Sequence, residues 1–262
     1  MHFTHAILRR PGEHFAEGLT RADEGPPDLD LALSQHARYA EALVTCGLQV
    51  EVLAADAEYP DSCFVEDPAI VTEAGALLTR PGAPSRLGEV ATLRPVLQRY
   101  FGSVSSIAAP GLLDGGDVCD LGGRFLIGLS ERTNTEGAGQ LSRWLEERGY
   151  RSETVDLADH PRLLHLKTGI TAIDEGRVVV VPGFPAARLL DGMERIEVEA
   201  GEEYAANCIR VNDRVLVAAG YPRLLERLEG LGYRTLPLSM SEFRRMDGGL
   251  SCLSLRLNLR RG

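Results

Sequence analysis

Four times along this chain an apolar run reaches a tight bend of glycine, asparagine or acidic residues, and a second apolar run returns from it. The copies are Cys63-Phe-Val-Glu-Asp-Pro-Ala-Ile-Val-Thr-Glu-Ala-Gly-Ala-Leu-Leu-Thr, Asp117-Val-Cys-Asp-Leu-Gly-Gly-Arg-Phe-Leu-Ile-Gly, Gly169-Ile-Thr-Ala-Ile-Asp-Glu-Gly-Arg-Val-Val-Val-Val and Asn207-Cys-Ile-Arg-Val-Asn-Asp-Arg-Val-Leu-Val-Ala. Each reads as a β-hairpin, because Gly, Asn and Asp tolerate the backbone of a short bend and the flanking runs are rich in strand formers. A lone hairpin is marginal in water, so repeated hairpins must bury their faces against other elements.

Helical stretches lie between the hairpins. Leu29 to Cys46 places Leu33, Ala37, Ala40 and Val44 on one face, after a Pro-Pro-Asp start and before Gly47. Gly137 to Arg148 aligns Leu141 with Leu145, and Pro222 to Leu231 aligns Leu224, Leu225 and Leu228. Copies about 40–50 residues apart suggest radial repetition of a hairpin-plus-helix unit, as propellers use. The N-terminal strand and the residues from Leu250 onward supply a weaker fifth copy, which would close a ring. An open α/β sheet is the rival arrangement. No linker divides the chain, so residues 1–262 are expected to form one domain. The polar stretch Arg21 to Asp28 reads as an exposed loop and a candidate lid.

Composition removes several function classes. The formal charge is −10, which disfavours a nucleic-acid surface but attracts small cations. No apolar run approaches the ~18 residues that span a membrane. Five cysteines, an odd number without a staple-like spacing, and no secretory leader point to a reducing, cytoplasmic setting. Without a Cys-x-x-Cys pair, neither a structural zinc nor a redox motif is expected.

Several segments carry groups capable of chemistry. In Asp247-Gly-Gly-Leu-Ser-Cys-Leu-Ser-Leu, a Gly-Gly turn delivers Cys252 into a short apolar run. Cysteine is a strong nucleophile near neutral pH when its proton is lost, whereas a buried thiol without such help is core filling. His165, among leucines in Leu163-Leu-His-Leu-Lys-Thr-Gly, is either a core histidine or a tuned acid and base. Asp114 and Asp117 bracket a Gly-Gly step, and a self-capped turn alone would explain them. Pro60-Asp-Ser-Cys-Phe-Val-Glu-Asp-Pro holds Asp61, Glu66 and Asp67 in one apolar segment. Strand alternation sends Glu66 and Asp67 to opposite faces, so at least one is buried. A buried carboxylate needs a partner, and an arriving cation is expected to be the main one.

Taken in order, these segments resemble a known family. Gly18-Leu-Thr, Pro60-Asp-Ser-Cys-Phe-Val-Glu-Asp-Pro, Arg80-Pro-Gly-Ala-Pro-Ser-Arg, Leu113-Asp-Gly-Gly-Asp-Val, Ser130-Glu-Arg-Thr-Asn, His165-Leu-Lys-Thr-Gly, Tyr204-Ala-Ala-Asn-Cys and Asp247-Gly-Gly-Leu-Ser-Cys are similar to motifs of the dimethylarginine dimethylaminohydrolases, within the guanidino-group-modifying enzymes. The resemblance spans nearly the whole chain. It implies a five-bladed, pentein-type α/β propeller with the substrate in a central channel.

It also implies roles. Cys252 attacks the guanidinium carbon of a methylated arginine, forming a thiouronium that water hydrolyses to citrulline, with methylamine or dimethylamine released. His165 serves as acid and base, oriented by Asp114. Asp67, supported by Glu66, holds the guanidinium. Arg86 and Arg132 take the substrate carboxylate, Asp61 and the carbonyls of Leu19 and Met246 take its ammonium group, and Phe64 stacks on it. One departure is Leu87, where the resemblance leads one to expect a second arginine after Arg86. No cofactor or resident metal is implied, although a Cys252–His165 pair would accept zinc as an inhibitor. The implied partner is a cationic amino acid, and a homodimer is left open. An arginine or other guanidino deiminase with the same machinery is the nearest alternative, and a non-catalytic propeller that binds a macromolecular surface is the most distant.

Overall fold

The computed structural model describes residues 2–259, so the two ends of the domain expected over 1–262 lie outside the described residues. Among the described residues fifteen strands form five three-stranded sheets. The first sheet sets β1 (His5–Arg9) between β2 (Gln49–Leu53) and β15 (Leu255–Leu257), so the two ends of the chain meet in one blade. The second holds β3 (Ala69–Thr72), β4 (Gly75–Leu78) and β5 (Val104–Ser106). The third holds β6 (Val118–Asp120), β7 (Arg124–Leu129) and β8 (Arg151–Asp156). The fourth holds β9 (Ile170–Ala172), β10 (Arg177–Val180) and β11 (Glu194–Glu197). The fifth holds β12 (Ile209–Val211), β13 (Arg214–Ala218) and β14 (Arg234–Leu238).

All four hairpins read from the sequence are present as antiparallel pairs, and the fifth copy is completed by β15 pairing antiparallel with β1. The architecture is therefore the five-bladed α/β propeller, and the open-sheet alternative falls. Each blade also carries a third strand parallel to the central one. A parallel return needs a crossover. It is made by α1 (Leu29–Thr45), α2 (Glu89–Phe101), α3 (Thr135–Glu146), a short turn at Ala187–Leu190, and α4 (Pro222–Gly230). These third strands escape a hydrophobicity reading because they are half-exposed. In β8 only Val155 is buried, and β14 contains Pro237. Helix α2 is hidden by Pro95 in its interior, which interrupts the helical pattern.

The face assigned to α1 is corrected. Ala32, Gln35, His36, Tyr39, Ala42 and Leu43 are buried, whereas Val44 is 57% exposed. Three of these buried residues are polar or amphipathic, and two of them, Tyr39 and Gln35, are held by hydrogen bonds. Tyr39 donates to the carbonyl of Leu250 at 2.8 Å and pairs with Ser254 Oγ at 2.7 Å. Gln35 donates to Ser241 Oγ at 2.7 Å and accepts from the Glu242 N–H at 3.1 Å. The His36 ring lies 6.5 Å from that of Phe243, which sits in α5 (Ser241–Arg244). The helix thus packs on the segment that leads into Cys252 and fixes both sides of it.

Buried apolar residues gather in clusters between neighbouring blades rather than in one central core. Leu126, Val179 and Val217 join the third, fourth and fifth blades, while Ile7, Leu78 and Leu255 join the first and second. The centre of the ring is left to polar groups. Among the described residues no helix is long and apolar enough to cross a membrane.

Candidate active site

The cysteine loop is built by close approach. A Cβ on Gly248 would lie 2.2 Å from the Phe64 ring, and one on Gly249 would lie 2.5 Å from Asn207 Oδ1. Only glycine allows the chain to pass there. Asn207 then clamps the loop from the fifth blade. Its Oδ1 accepts from the Ser251 N–H at 2.9 Å, and its Nδ2 donates to the Lys167 carbonyl at 3.0 Å. Tyr204 donates to the Gly248 carbonyl at 2.7 Å. Cys252 Sγ accepts from the Gly249 N–H at 3.4 Å. Burial, then the charges of Glu66 and Asp67, push the Cys252 thiol up to about 12, against the opposing pull of the Gly249 N–H and Lys167. The sulfur is therefore a neutral thiol in the free protein.

His165 faces it from the third-to-fourth blade connection, at the start of the turn Leu166–Thr168. Its Nε2 lies 3.0 Å from Asp114 Oδ2, and the remaining Asp114 oxygen accepts from the Gly82 N–H at 2.8 Å. Burial alone would lower this imidazole, but Asp67, the Asp114 hydrogen bond and Asp117 together raise it to about 9. It rests as an imidazolium at neutral pH. Gly116 makes room for it, since a Cβ there would sit 2.7 Å from Nδ1 and 2.9 Å from Asp67 Oδ1. Asp117 is fully buried and accepts from Ser130 Oγ (2.6 Å), Thr133 Oγ1 (2.7 Å) and the Leu166 N–H (2.9 Å). It anchors the histidine turn, a task that the sequence suggests only by its place in the Gly-Gly motif.

One cavity gathers Cys252, His165, Asp114, Asp67, Asp61, Phe64, Arg86, Arg132, Leu19 and Met246, with Leu164, Asp247 and Gly248. Glu66 is the exception. Its carboxylate turns the other way, accepting from Lys167 Nζ at 2.5 Å and Ser251 Oγ at 2.6 Å, and it lines a second cavity on the opposite side. Glu66 and Asp67 do point apart as expected, but from a turn that precedes β3 rather than from a strand. The expectation that both wait for a cation is not met, because each already has a partner. Asp67 Oδ2 takes an N–H from Arg86 at 2.5 Å, and Asp67 Oδ1 takes the Gly116 N–H at 2.9 Å. Burial works against the Asp67 charge, but His165 and Arg86 outweigh it and hold the carboxyl below its usual range.

The two arginines differ in kind. Arg86 is buried and engaged by Glu89, Asp67 and the carbonyls of Phe64 and Asp61. Arg132 is half-buried, its backbone N–H bonded to Ser130 Oγ at 3.0 Å, and its guanidinium forms no ion pair among the described residues. Asp61 accepts the Leu19 N–H at 3.1 Å. Asp67, Asp114 and His165 offer donor atoms within 4.8 Å of one another, a cluster that does not include the Cys252 sulfur named for zinc. No residue of the Arg21 to Asp28 loop lines the Cys252 cavity, but the loop is tied beside it: Arg21 pairs with Glu131 and donates its backbone N–H to the lining residue Asp247, and Glu24 pairs with Arg244 at 2.8 Å.

With this geometry in place, relatives become informative. The arginine deiminase family model matches residues 57–210. N(G),N(G)-dimethylarginine dimethylaminohydrolase of Pseudomonas aeruginosa is 43% identical over 97% of this chain and 99% of its own length. The chain belongs to the dimethylarginine dimethylaminohydrolase family. The Streptomyces coelicolor member is 37% identical over 96% of each chain. The solved structure of a cysteine-to-serine mutant of the Pseudomonas enzyme complexed with citrulline superposes with a TM-score of 0.95, covering 98% of this chain and 100% of that one at 42% identity. A cyanobacterial arginine dihydrolase domain, at 19% identity and a TM-score of 0.86, shares the fold.

Proposed function

We propose that this chain hydrolyses Nω-methylated L-arginines to L-citrulline, releasing methylamine or dimethylamine, and that Cys252, His165 and Asp67 carry the reaction. The observation behind this reading is the convergence of a thiol, a carboxylate-held imidazolium and a free arginine on one cavity of a dimethylarginine dimethylaminohydrolase fold.

The charges suit a cationic substrate. Glu66 and Asp67 are the groups that hold the thiol proton on, after burial itself. A guanidinium docked on Asp67 offsets that field, so the proton leaves to solvent as the substrate arrives. The thiolate then attacks the guanidinium carbon. Expelling an amine requires a proton on the leaving nitrogen, and the imidazolium of His165 supplies it, with Asp114 holding the ring. The neutral imidazole left behind takes a proton from water, which attacks the thiouronium carbon and breaks the C–S bond to give citrulline. At the far end, Arg132 presents an uncommitted guanidinium to the substrate carboxylate, while Asp61 and the Leu19 and Met246 carbonyls meet the ammonium group.

An arginine deiminase would use the same steps and expel ammonia, a reading favoured by the match of residues 57–210 to the arginine deiminase family. Incubating the protein with arginine, monomethylarginine, asymmetric dimethylarginine and agmatine, and measuring each amine together with citrulline, separates the two. Dimethylamine release is the expected outcome. Ammonia from unsubstituted arginine as the dominant product would replace this reading with the deiminase one.

A further inference from the structure

The groups that handle charge in the cavity are tied to a residue that never reaches it. Glu89 opens α2, three positions after Arg86, and is 2% exposed. It is absent from the lining of the catalytic cavity. Its two oxygens grip one edge of the Arg86 guanidinium, Oε1 accepting from Nε and Oε2 from Nη2, each at 2.8 Å. Nη2 also donates to the Phe64 carbonyl at 3.1 Å and approaches that of Asp61 at 3.3 Å. Nη1 donates to Asp67 Oδ2 at 2.5 Å. A guanidinium has five N–H donors. Glu89 takes two, the carbonyls share one and Asp67 takes one, which leaves a single Nη1–H on the cavity side.

We propose that Glu89 is a positioning residue for this reaction: its grip on the Nε–Nη2 edge of Arg86 turns Nη1 toward the cavity and keeps Asp67 negative enough to dock the substrate guanidinium. The proposal rests on the methylarginine-hydrolase reading above and deepens it.

The charge balance explains the need. Asp67 and Arg86 alone form a neutral pair, and a neutral pair gives a cation little reason to dock. Burial pushes the Glu89 carboxyl up to about 7 against the pull of Arg86, and once it is ionised the trio of Asp67, Arg86 and Glu89 is net negative by one, with Arg86 shared between two carboxylates. Remove the Glu89 charge and the whole positive field of Arg86 falls on Asp67, in a desolvated setting where charge pairs are strong. Asp67 would then be neutralised where the substrate cation must sit. The amino-acid end, served by Arg132 and Asp61, would feel much less of the change.

Glu89→Gln tests this with nearly constant shape, since it removes the charge and sets an amide N–H against an arginine N–H. Two ligands report separately. Methylarginine carries the cationic guanidinium, whereas citrulline has the same amino-acid end and a neutral ureido group. For Glu89→Gln, kcat/KM for methylarginine should fall about tenfold or more, as expected for a lost charge-assisted contact. Citrulline affinity, measured by calorimetry, should change less than about threefold on the same scale. Glu89→Asp keeps the charge but shortens the reach, so it should restore most of the preference for the cation and only part of the rate. Equal losses for methylarginine and citrulline in Glu89→Gln, or unchanged kinetics, would overturn the proposal. Should Glu89→Gln fail to fold, Glu89→Asp decides alone: a lower rate with the cation preference kept supports positioning, and parallel losses on both ligands overturn it. A failure of the functional reading itself is seen earlier, as wild-type protein that releases no methylamine or dimethylamine.

Discussion

The two sides of the central channel share one strand-entry segment but use it in opposite ways. On the back side Glu66 is bonded to Lys167 and Ser251, and Arg256 Nη2 lies 3.6 Å from its Oε1, so a buried carboxylate is satisfied entirely by the chain. On the front side its neighbour Asp67 shares Arg86 with Glu89 and lines one cavity with an imidazolium, a neutral thiol and Arg132, which has no ion pair among the described residues. One face is braced and the other is left open to a ligand. The difference teaches that one tight turn ahead of β3 is enough to separate support from chemistry, because it sends two adjacent carboxylates to different sides of the channel. It also gives the braced side a purpose: Glu66 holds Ser251, and Ser251 precedes Cys252.

The largest expected effect breaks the front side. Cys252→Ser should lower turnover by about 10³-fold or more, since a hydroxyl is far less ionised than a thiol and the steps depend on it as a unit. Acid-quenched wild-type protein should carry a substrate adduct on the peptide containing Cys252. An adduct on Cys63 or Cys208 instead would move the nucleophile.

A smaller effect sharpens the difference between the two arginines. Arg132→Ala should raise KM for methylarginine by about 10–100-fold while leaving kcat within a few-fold, the signature of lost binding shared by ground and transition states. With an alkylamidine that lacks a carboxylate, the same variant should resemble wild type. Arg86→Ala should behave differently, losing thermal stability as well as rate, because it strands the buried Asp67 and Glu89 charges. Steady-state kinetics and thermal melts on both variants make the comparison, and identical behaviour on both measurements would erase the distinction between a committed and a free arginine.

How much of this was legible depends on where the signal lives. Hairpins are local, so the bends at Gly75, Gly122–Gly123 and Asn212–Asp213 marked the central blades without any tertiary knowledge. Cys252, His165 and the carboxylates were legible as candidates but not as a set, because their convergence is a property of the closed ring. Only the ordered motifs joined them. Three features were hidden for physical reasons. The buried stripe of α1 carries Gln35, His36 and Tyr39, residues that a periodicity reading counts as surface. Glu89 looks like an ordinary acidic residue in the first turn of a helix, and its spacing from Arg86 does not tell that the same arginine also reaches Asp67. The pairing of Glu66 with Lys167 joins positions 101 residues apart, and no spacing rule reaches that far.

The smallest expected effect concerns the imidazolium and is read as stability rather than rate. His165 has its pKa raised from 6.5 to about 9 in the folded protein by Asp67, Asp114 and Asp117, against burial. A group whose folded pKa lies above its unfolded value stabilises the fold fully below the unfolded pKa, and that contribution fades as pH rises through the folded pKa. The window for His165 is therefore pH 6.5 to about 9. Its full size corresponds to roughly 3 kcal/mol at 1.36 kcal/mol per unit, an upper figure. Cys252 also titrates on the alkaline side, but its unfolded thiol ionises only near 9 and its folded pKa is about 12, so its contribution is lost above the histidine window. Urea unfolding at pH 6, 7, 8 and 9 separates them. Wild type should lose stability steadily across that range, and His165→Gln, which keeps a polar side chain but no titratable ring, should show a flatter profile that starts lower. Parallel profiles in the two proteins would mean that Asp114 and Asp67 do not hold a charged ring in the free enzyme, and the front side of the channel would then rest with a neutral imidazole beside a neutral thiol.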